Sequence, residues 1–206
     1  MIRHNTFTTL KHYLPTVGII IFFGLFIYAT WLYPLGAPFS NGVHLYLCNL
    51  LDSPTKHGLL NPARPYAMMA LLILLTSLWR FFFMFANFYS QSLCWKWTIK
   101  ISGSLSVILV ALLLTGNHLV TIIASVLGAI TLVGIIFGIA QSHLILYQIT
   151  GIVCVFLLVL NNAIYYSGLF IDFLPLIQKI TFVIVLFWVM GLNHKMVKKN
   201  NFYKNS

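Results

Sequence analysis

Acidic residues are almost absent from this sequence. Among 206 residues there are two aspartates, Asp52 and Asp172, and no glutamate, against twelve lysines and arginines. The two carboxylates are too far apart in the chain to predict the neighbouring pair that glycoside hydrolysis requires. Neither lies within an apolar run, so the intramembrane acids that ion-coupled transporters commonly use are missing as well. Both absences disfavour an enzyme or a secondary transporter.

Cysteine is also scarce, and the motifs of several enzyme classes are missing. Cys48, Cys94 and Cys154 have no CxxC spacing and are separated by apolar segments, which argues against a disulfide framework or a zinc site. The sequence contains no glycine-rich phosphate loop, no GxSxG elbow and no HExxH motif. We therefore predict neither a metal nor a cofactor.

Apolar residues dominate what is present. They make up 60% of the chain, and charged residues 7%, whereas about a quarter of a soluble domain is charged. Six apolar runs approach or reach the length of about 20 residues that a helix needs to cross a bilayer. The predicted spans are about 14–33, 66–88, 99–115, 119–140, 144–166 and 174–192, followed by a basic, solvated cytoplasmic tail, 193–206.

The positive charges lie mostly at the ends of these runs, which is a topology signal and not a nucleic-acid footprint. With both termini in the cytoplasm, the inner side carries Arg3, Lys11, Lys96, Lys100, Lys195, Lys198, Lys199 and Lys204, with Arg80 nearby. The outer side carries only Lys56, Arg64 and Lys179. We therefore predict an all-α integral membrane bundle of six transmembrane helices, with an extracytoplasmic loop between helices 1 and 2.

That loop, from Leu35 to Arg64, is the longest polar segment. With the next outer turn it contains a polar set that we name the outer cluster: His44, Asn49, Asp52, His57, Asn61, Arg64, Asn117 and His118. Imidazoles and a carboxylate can bind metal ions, but this spacing matches no established motif. Such groups also satisfy the backbone of a long loop. The outer cluster is thus either a chemical site or a set of structural loop residues.

The same loop is apolar enough to fold back over the mouth of the bundle. Its apolar residues are Leu45, Tyr46, Leu47, Leu50, Leu51, Leu59 and Leu60. They predict a short interfacial helix that holds Asn49 and Asp52 on one face.

Two features are predicted within the spans. The fifth span carries Gln148, Gly151, Cys154, Asn161 and Tyr165 at helical spacing, so this polar face should point into the bundle. The fourth carries a stripe of small residues for helix packing, namely Ala124, Gly128, Thr131, Gly134 and Gly138. Arg80, in the second span, either extends to the headgroups or faces the interior as a ligand-binding cation. Arg80, Gln148, Asn161 and Tyr165 are the candidate intramembrane polar residues.

The loop also resembles a known sequence pattern. Its segments 46–50 (YLCNL), 57–58 (HG) and 61–65 (NPARP) are similar to a bacterial group of uncharacterised six-span membrane proteins near the Frag/DRAM/Sfk-like membrane proteins. The loop of that group reads approximately N-Y-W-C-D-L, then N-G, then N-P-A-R-P. Asn49 stands where the group tends to have Asp, and Asn117-His118 stands where a His-Asp pair is expected. The resemblance implies six spans in a bacterial inner membrane and implies no activity.

These observations predict a non-enzymatic integral membrane protein. Its partners are the bilayer and a lipid or other amphipathic small molecule, bound between the polar face of span five and the loop. One alternative is a membrane-embedded hydrolase or transferase acting on a lipid headgroup, with His44, Asp52, His57 and His118 as ligands or acid/base groups. Another is a transporter subunit. The sequence predicts no nucleic-acid partner and leaves the oligomeric state open.

Overall fold

A computed structural model of the protein describes residues 3–34, 46–53, 55, 58–89, 92–112, 118–142 and 144–205. Side chains are described for these residues except 3–11, 118, 119, 121 and 200–205. Of the outer cluster, His44, His57, Asn117 and the side chain of His118 therefore lie outside the described residues.

The described chain is helical and contains no strand. Six helices, each with a stretch long and apolar enough to cross a membrane, confirm the predicted fold class and indicate a multi-pass membrane protein. They are α1 (Arg3–Leu32), α2 (Arg64–Phe88), α3 (Leu93–Leu112), α4 (His118–Ala140), α5 (Ile145–Ser167) and α6 (Leu174–Asn205).

Three helix boundaries differ from the prediction. Helix α1 begins well before residue 14, α3 begins at Leu93 and not at 99, and α6 continues through the segment predicted as a solvated tail. That prediction is wrong for the first part of the tail, because Asn193, Met196 and Val197 are buried. The lysines near these three boundaries suggested helix ends. A lysine side chain can, however, reach water with its charged group while its backbone remains helical.

The helices alternate in direction and close into a ring. Each packs against its sequence neighbours, α6 packs against α1, and α2 also contacts α4 and α6. The ends of α1, α3 and α5 therefore meet the starts of α2, α4 and α6 at one end of the bundle. We name this the loop end and the opposite end the terminus end.

Small residues let α4 approach its neighbours, as predicted. A Cβ added to Gly134 would lie 2.8 Å from Ile99 Cγ1 on α3, and one added to Gly138 would lie 3.1 Å from Phe85 Cε1 on α2. The Ser102 and Thr131 hydroxyls hydrogen-bond across the α3–α4 interface at 2.7 Å. Close approach and interhelical hydrogen bonds hold helices together in lipid, where apolar burial contributes little.

One buried amide closes the ring at the terminus end. Pro15 lies inside α1 and cannot donate a backbone hydrogen bond there. The Asn193 side chain of α6 donates to the His12 carbonyl at 3.1 Å and to Thr16 Oγ1 at 2.9 Å. A neighbouring helix thus supplies a donor near the interruption, which is how membrane helices tolerate proline.

Candidate functional site

A short helical segment covers part of the loop end. Residues Leu47–Leu51 form a 3-10 helix, and with Tyr46 and Asp52 we name this segment the lid. Leu50 is buried in a cluster with Ala29 and Tyr33 at the end of α1 and with Ala63 and Ala67 around the start of α2. The lid also contacts α6. The predicted short helix is present.

Two leucines after the lid do not cover the bundle as predicted. Leu59 and Leu60 are exposed, and they follow a turn in which Thr55 accepts a hydrogen bond from Gly58 N at 2.8 Å. Gly58 has a positive φ of 76°, a conformation that favours glycine. Thr55 is buried, but the two leucines that follow this turn lie outside the packed bundle.

Asn61 fastens the lid to α2. Its Nδ2 donates to the carbonyls of Leu50 at 3.1 Å and Asp52 at 2.9 Å, and its Oδ1 accepts from the backbone N–H of Ala63 at 3.1 Å. All three bonds are to backbone atoms. Asn61 was predicted as part of a candidate site, and its bonds give it a structural role there.

Three buried side-chain atoms around this junction have no hydrogen-bond partner among the described residues: Tyr33 Oη, Asn49 Nδ2 and Arg64 Nε. Burial, and after it the charge of Asp52, raises the pKa of the Tyr33 phenol. A raised pKa keeps the phenol protonated and therefore able to donate. All three groups can act as hydrogen-bond donors.

Tyr46, the first residue of the lid, lies towards α5 and α6. Burial raises the pKa of Tyr46, with smaller contributions from Cys48, Tyr165 and Asp172. Tyr165 is in the last turn of α5, and Asp172 lies just before α6. Tyr46 therefore lies within electrostatic range of both helix ends.

Within the α5–α6 interface, Asn161 hydrogen-bonds to Thr181. Its Nδ2 donates to Thr181 Oγ1 at 2.7 Å and to the Leu157 carbonyl at 2.9 Å. The Thr181 hydroxyl donates its own hydrogen bond to the Ile177 carbonyl, at 2.8 Å, so Thr181 Oγ1 must accept the bond from Asn161. This fixes the orientation of the Asn161 amide, which would otherwise be an open assignment.

The consequence is a pair of buried acceptors. Two side-chain oxygens, Asn161 Oδ1 and Gln178 Oε1, are buried and find no donor within the described part of the chain. Gln178 lies three residues before Thr181 on α6. Residues three apart on a helix share a face, so Gln178 lies beside Thr181. The two oxygens thus lie on neighbouring helices, both near the loop end.

The other predicted intramembrane residues do not join this pair of acceptors. Gln148 is half-buried as expected for an interior face, but at 1.5 Å per residue it lies about 20 Å from Asn161 along α5. Tyr165 is 53% exposed, so its predicted interior position is wrong. Arg80 is exposed too, which excludes an interior cation and agrees with extension towards the headgroups.

Asn49, Asp52, Asn61 and Arg64 of the outer cluster do come together at the lid. No group of three or more His, Cys, Asp or Glu side chains that could hold a metal ion occurs within the described ranges. The interpretation that uses His44, His57 and His118 stays a prediction.

Sequence reasoning missed Tyr33, Gln178 and Thr181. Gln178 and Thr181 carried a signal, since they are polar residues three apart inside the apolar run of the sixth span. Tyr33 directly follows the first apolar helix, and its burial depends on the lid, which no pattern within that helix reveals.

No protein-family model matches the chain, and no curated protein or solved structure matches it. The resemblance of the loop to the bacterial six-span group stays a prediction.

Proposed function

We propose that this multi-pass membrane protein is a non-enzymatic binder of an amphipathic molecule, whose polar head donates hydrogen bonds to Asn161 Oδ1 and Gln178 Oε1. The observation that carries the proposal is this pair of buried acceptors without a donor among the described residues. A buried polar group left unpaired costs about 1–3 kcal/mol. A ligand hydroxyl or amine would offset that cost at both positions.

The depth of the acceptors favours an amphipathic ligand over a soluble one. Gln178 and Asn161 lie about 6 and 9 Å inside the loop-end termini of α6 and α5, at 1.5 Å per residue. The turn between these helices exposes Leu169, Phe170 and Phe173, next to exposed Tyr165 and Tyr166. Aromatic residues typically lie at the headgroup level of a membrane. A head that reaches the acceptors from there keeps its apolar part in the bilayer.

Replacing Gln178 with leucine tests the site. The change removes one acceptor at similar volume, so the affinity for the amphiphile should fall by about 5- to 150-fold. The delipidated variant should be at least as stable as the parent, because an unpaired polar atom is gone. Native mass spectrometry of the detergent-purified protein measures the co-purifying amphiphile, and thermal unfolding measures stability.

Gln148→Leu is the matched control, since it makes the same change on the half-buried face of α5 at the terminus end. It should keep the parent level of bound amphiphile. Equal occupancy in both variants and the parent, or no amphiphile on the parent, would refute the proposed function.

We further propose that the protein lies in a bacterial plasma membrane with both termini in the cytoplasm. Apart from Lys179, the lysines with described side chains lie at the terminus end: Lys96, Lys100, Lys195, Lys198 and Lys199. Asp52 and Asp172 lie at the loop end. Cytoplasmic loops and tails carry the excess of lysine and arginine, which supports this orientation.

Cysteine labelling tests the orientation. In a Cys48→Ser, Cys94→Ser background, which removes the two exposed native thiols, we expect Asp172→Cys to react with a membrane-impermeant maleimide in intact cells. Lys198→Cys should react only after permeabilisation. The reverse pattern would invert the orientation.

A further inference from the structure

The proposed function uses none of the three donors around the start of α2 that have no partner among the described residues. Tyr33 is 6% exposed and Asn49 is 3% exposed, and the buried Arg64 Nε belongs to a half-buried side chain. Tyr33 packs in one cluster with Leu50 and Ala63. Asn49 directly precedes Leu50 and Arg64 directly follows Ala63, so each donor lies within one residue of that cluster.

Arg64 supplies positive charge at this junction, which favours an anion, whereas the Asp52 carboxylate, whose charge acts on Tyr33, opposes one. The Arg64 guanidinium is always positive, and within the described part of the chain it forms no ion pair with Asp52 or Asp172. Helix α2, 25 residues long, begins at Arg64 with no acidic residue in its first turn. Its positive dipole end therefore adds to the arginine charge. The protonated phenol of Tyr33 contributes a neutral donor.

The lid and the helix start are held together independently of any ligand. Asn61 bonds the backbone of the lid on one side of this junction and the backbone N–H of Ala63 on the other. The backbone segments that carry Asn49 and Arg64 are therefore held relative to one another by a shared side chain. Preorganised donors lose little freedom when they bind a ligand.

We propose that Tyr33, Asn49 and Arg64 bind the oxygens of a phosphoryl group. Phosphate oxygens are strong acceptors, and arginine matches their geometry with parallel N–H groups. A phospholipid headgroup and a free phosphate both present this chemistry. The site uses no residue of α5 or α6, so it is separate from the amphiphile site proposed above.

The experiment measures thermal unfolding of the delipidated full-length protein in neutral detergent. The additives are dihexanoyl phosphatidic acid, dihexanoylglycerol, sodium phosphate and sodium chloride, compared at equal concentration. A ligand that binds only the folded protein raises its Tm. We expect phosphatidic acid to raise the Tm of the parent clearly more than dihexanoylglycerol or sodium chloride does.

Two variants and one control assign the effect to residues. Arg64→Gln should abolish the phosphoryl-dependent shift, and Tyr33→Phe, which keeps the ring in its packed cluster, should weaken apparent binding by about tenfold. Arg80→Gln removes the same charge from an exposed position of the same helix and should respond like the parent.

The outcomes separate the sources and can overturn the site. Stabilisation by phosphatidic acid alone assigns a lipid headgroup, whereas equal stabilisation by sodium phosphate assigns a free oxyanion, and both support the site. A parental response in Arg64→Gln and Tyr33→Phe, or an equal shift from dihexanoylglycerol, overturns it. If Arg64→Gln does not fold, Tyr33→Phe decides. Because these variants leave Gln178 intact, failure here is distinguishable from failure of the proposed function.

Discussion

Asn61→Ala is expected to free the lid from α2 and to accelerate hydrogen exchange in the lid by about 5- to 150-fold. The variant loses the two hydrogen bonds that Asn61 Nδ2 donates to the lid carbonyls, and with them the local bond from the Ala63 N–H. At a net 0.5–1.5 kcal/mol each, the two bonds to the lid sum to about 1–3 kcal/mol of local stability. Hydrogen exchange with mass spectrometry on a peptide covering 46–53 measures the effect, because Asn49 N and Asp52 N donate within the lid.

Asn162→Ala provides the control for this experiment. Asn162 is an exposed asparagine of α5 whose Nδ2 bonds only the Leu158 carbonyl, at 2.8 Å in its own helix. Its removal should leave exchange in the lid at the parent rate. Slow exchange retained in Asn61→Ala would mean that other contacts hold the lid in place.

Gly138→Leu should lower the Tm in detergent by roughly 3–9 °C. A Cβ at this position would lie 3.1 Å from Phe85 Cε1 and 3.8 Å from Tyr89 Cβ, and leucine adds three further carbons. The Phe85 ring is fully buried between Phe81 and Tyr89, so it has little room to move. Overpacking of this kind costs about 1–3 kcal/mol, which gives the stated range for a chain of this size.

Gly24→Leu makes the same change where it meets no neighbour. No described atom lies within 4 Å of a Cβ built on Gly24, which is exposed on α1. Leucine also favours a helix more than glycine does, so the Tm should stay constant or rise slightly. If Gly138→Leu and Gly24→Leu have the same Tm, the small-residue face of α4 does not limit packing.

The fold could be predicted because its signal is local. An apolar run of span length predicts a membrane helix without knowledge of its neighbours. The helix ends were less predictable, since Lys96 and Lys199 suggest solvent while their backbone stays helical. Lys199 Nζ lies 5.4 Å from the Phe88 ring centroid, a contact that no single segment reveals.

The candidate sites were predictable only in part, because they depend on which helices meet. Helical spacing selected Asn161 correctly as an interior residue, but not its partners Thr181 and Gln178 across the interface. The loop pattern selected Asn61 and Arg64 together. It could not distinguish the asparagine that bonds backbone from the arginine whose Nε has no partner in the described chain.

The closed ring has a consequence for biogenesis. The contact between His12 and Asn193 joins residues 181 positions apart, so it forms only after α2 to α5 and much of α6 have been made. The α1–α2 and α3–α4 pairs join neighbouring segments and can assemble while later helices are still being inserted. Until α6 arrives, the Asn161 amide lacks Thr181 and the His12 carbonyl lacks Asn193. Helix α6 thus completes polar contacts of both α1 and α5, so a chain that stops after α5 leaves both groups without these partners.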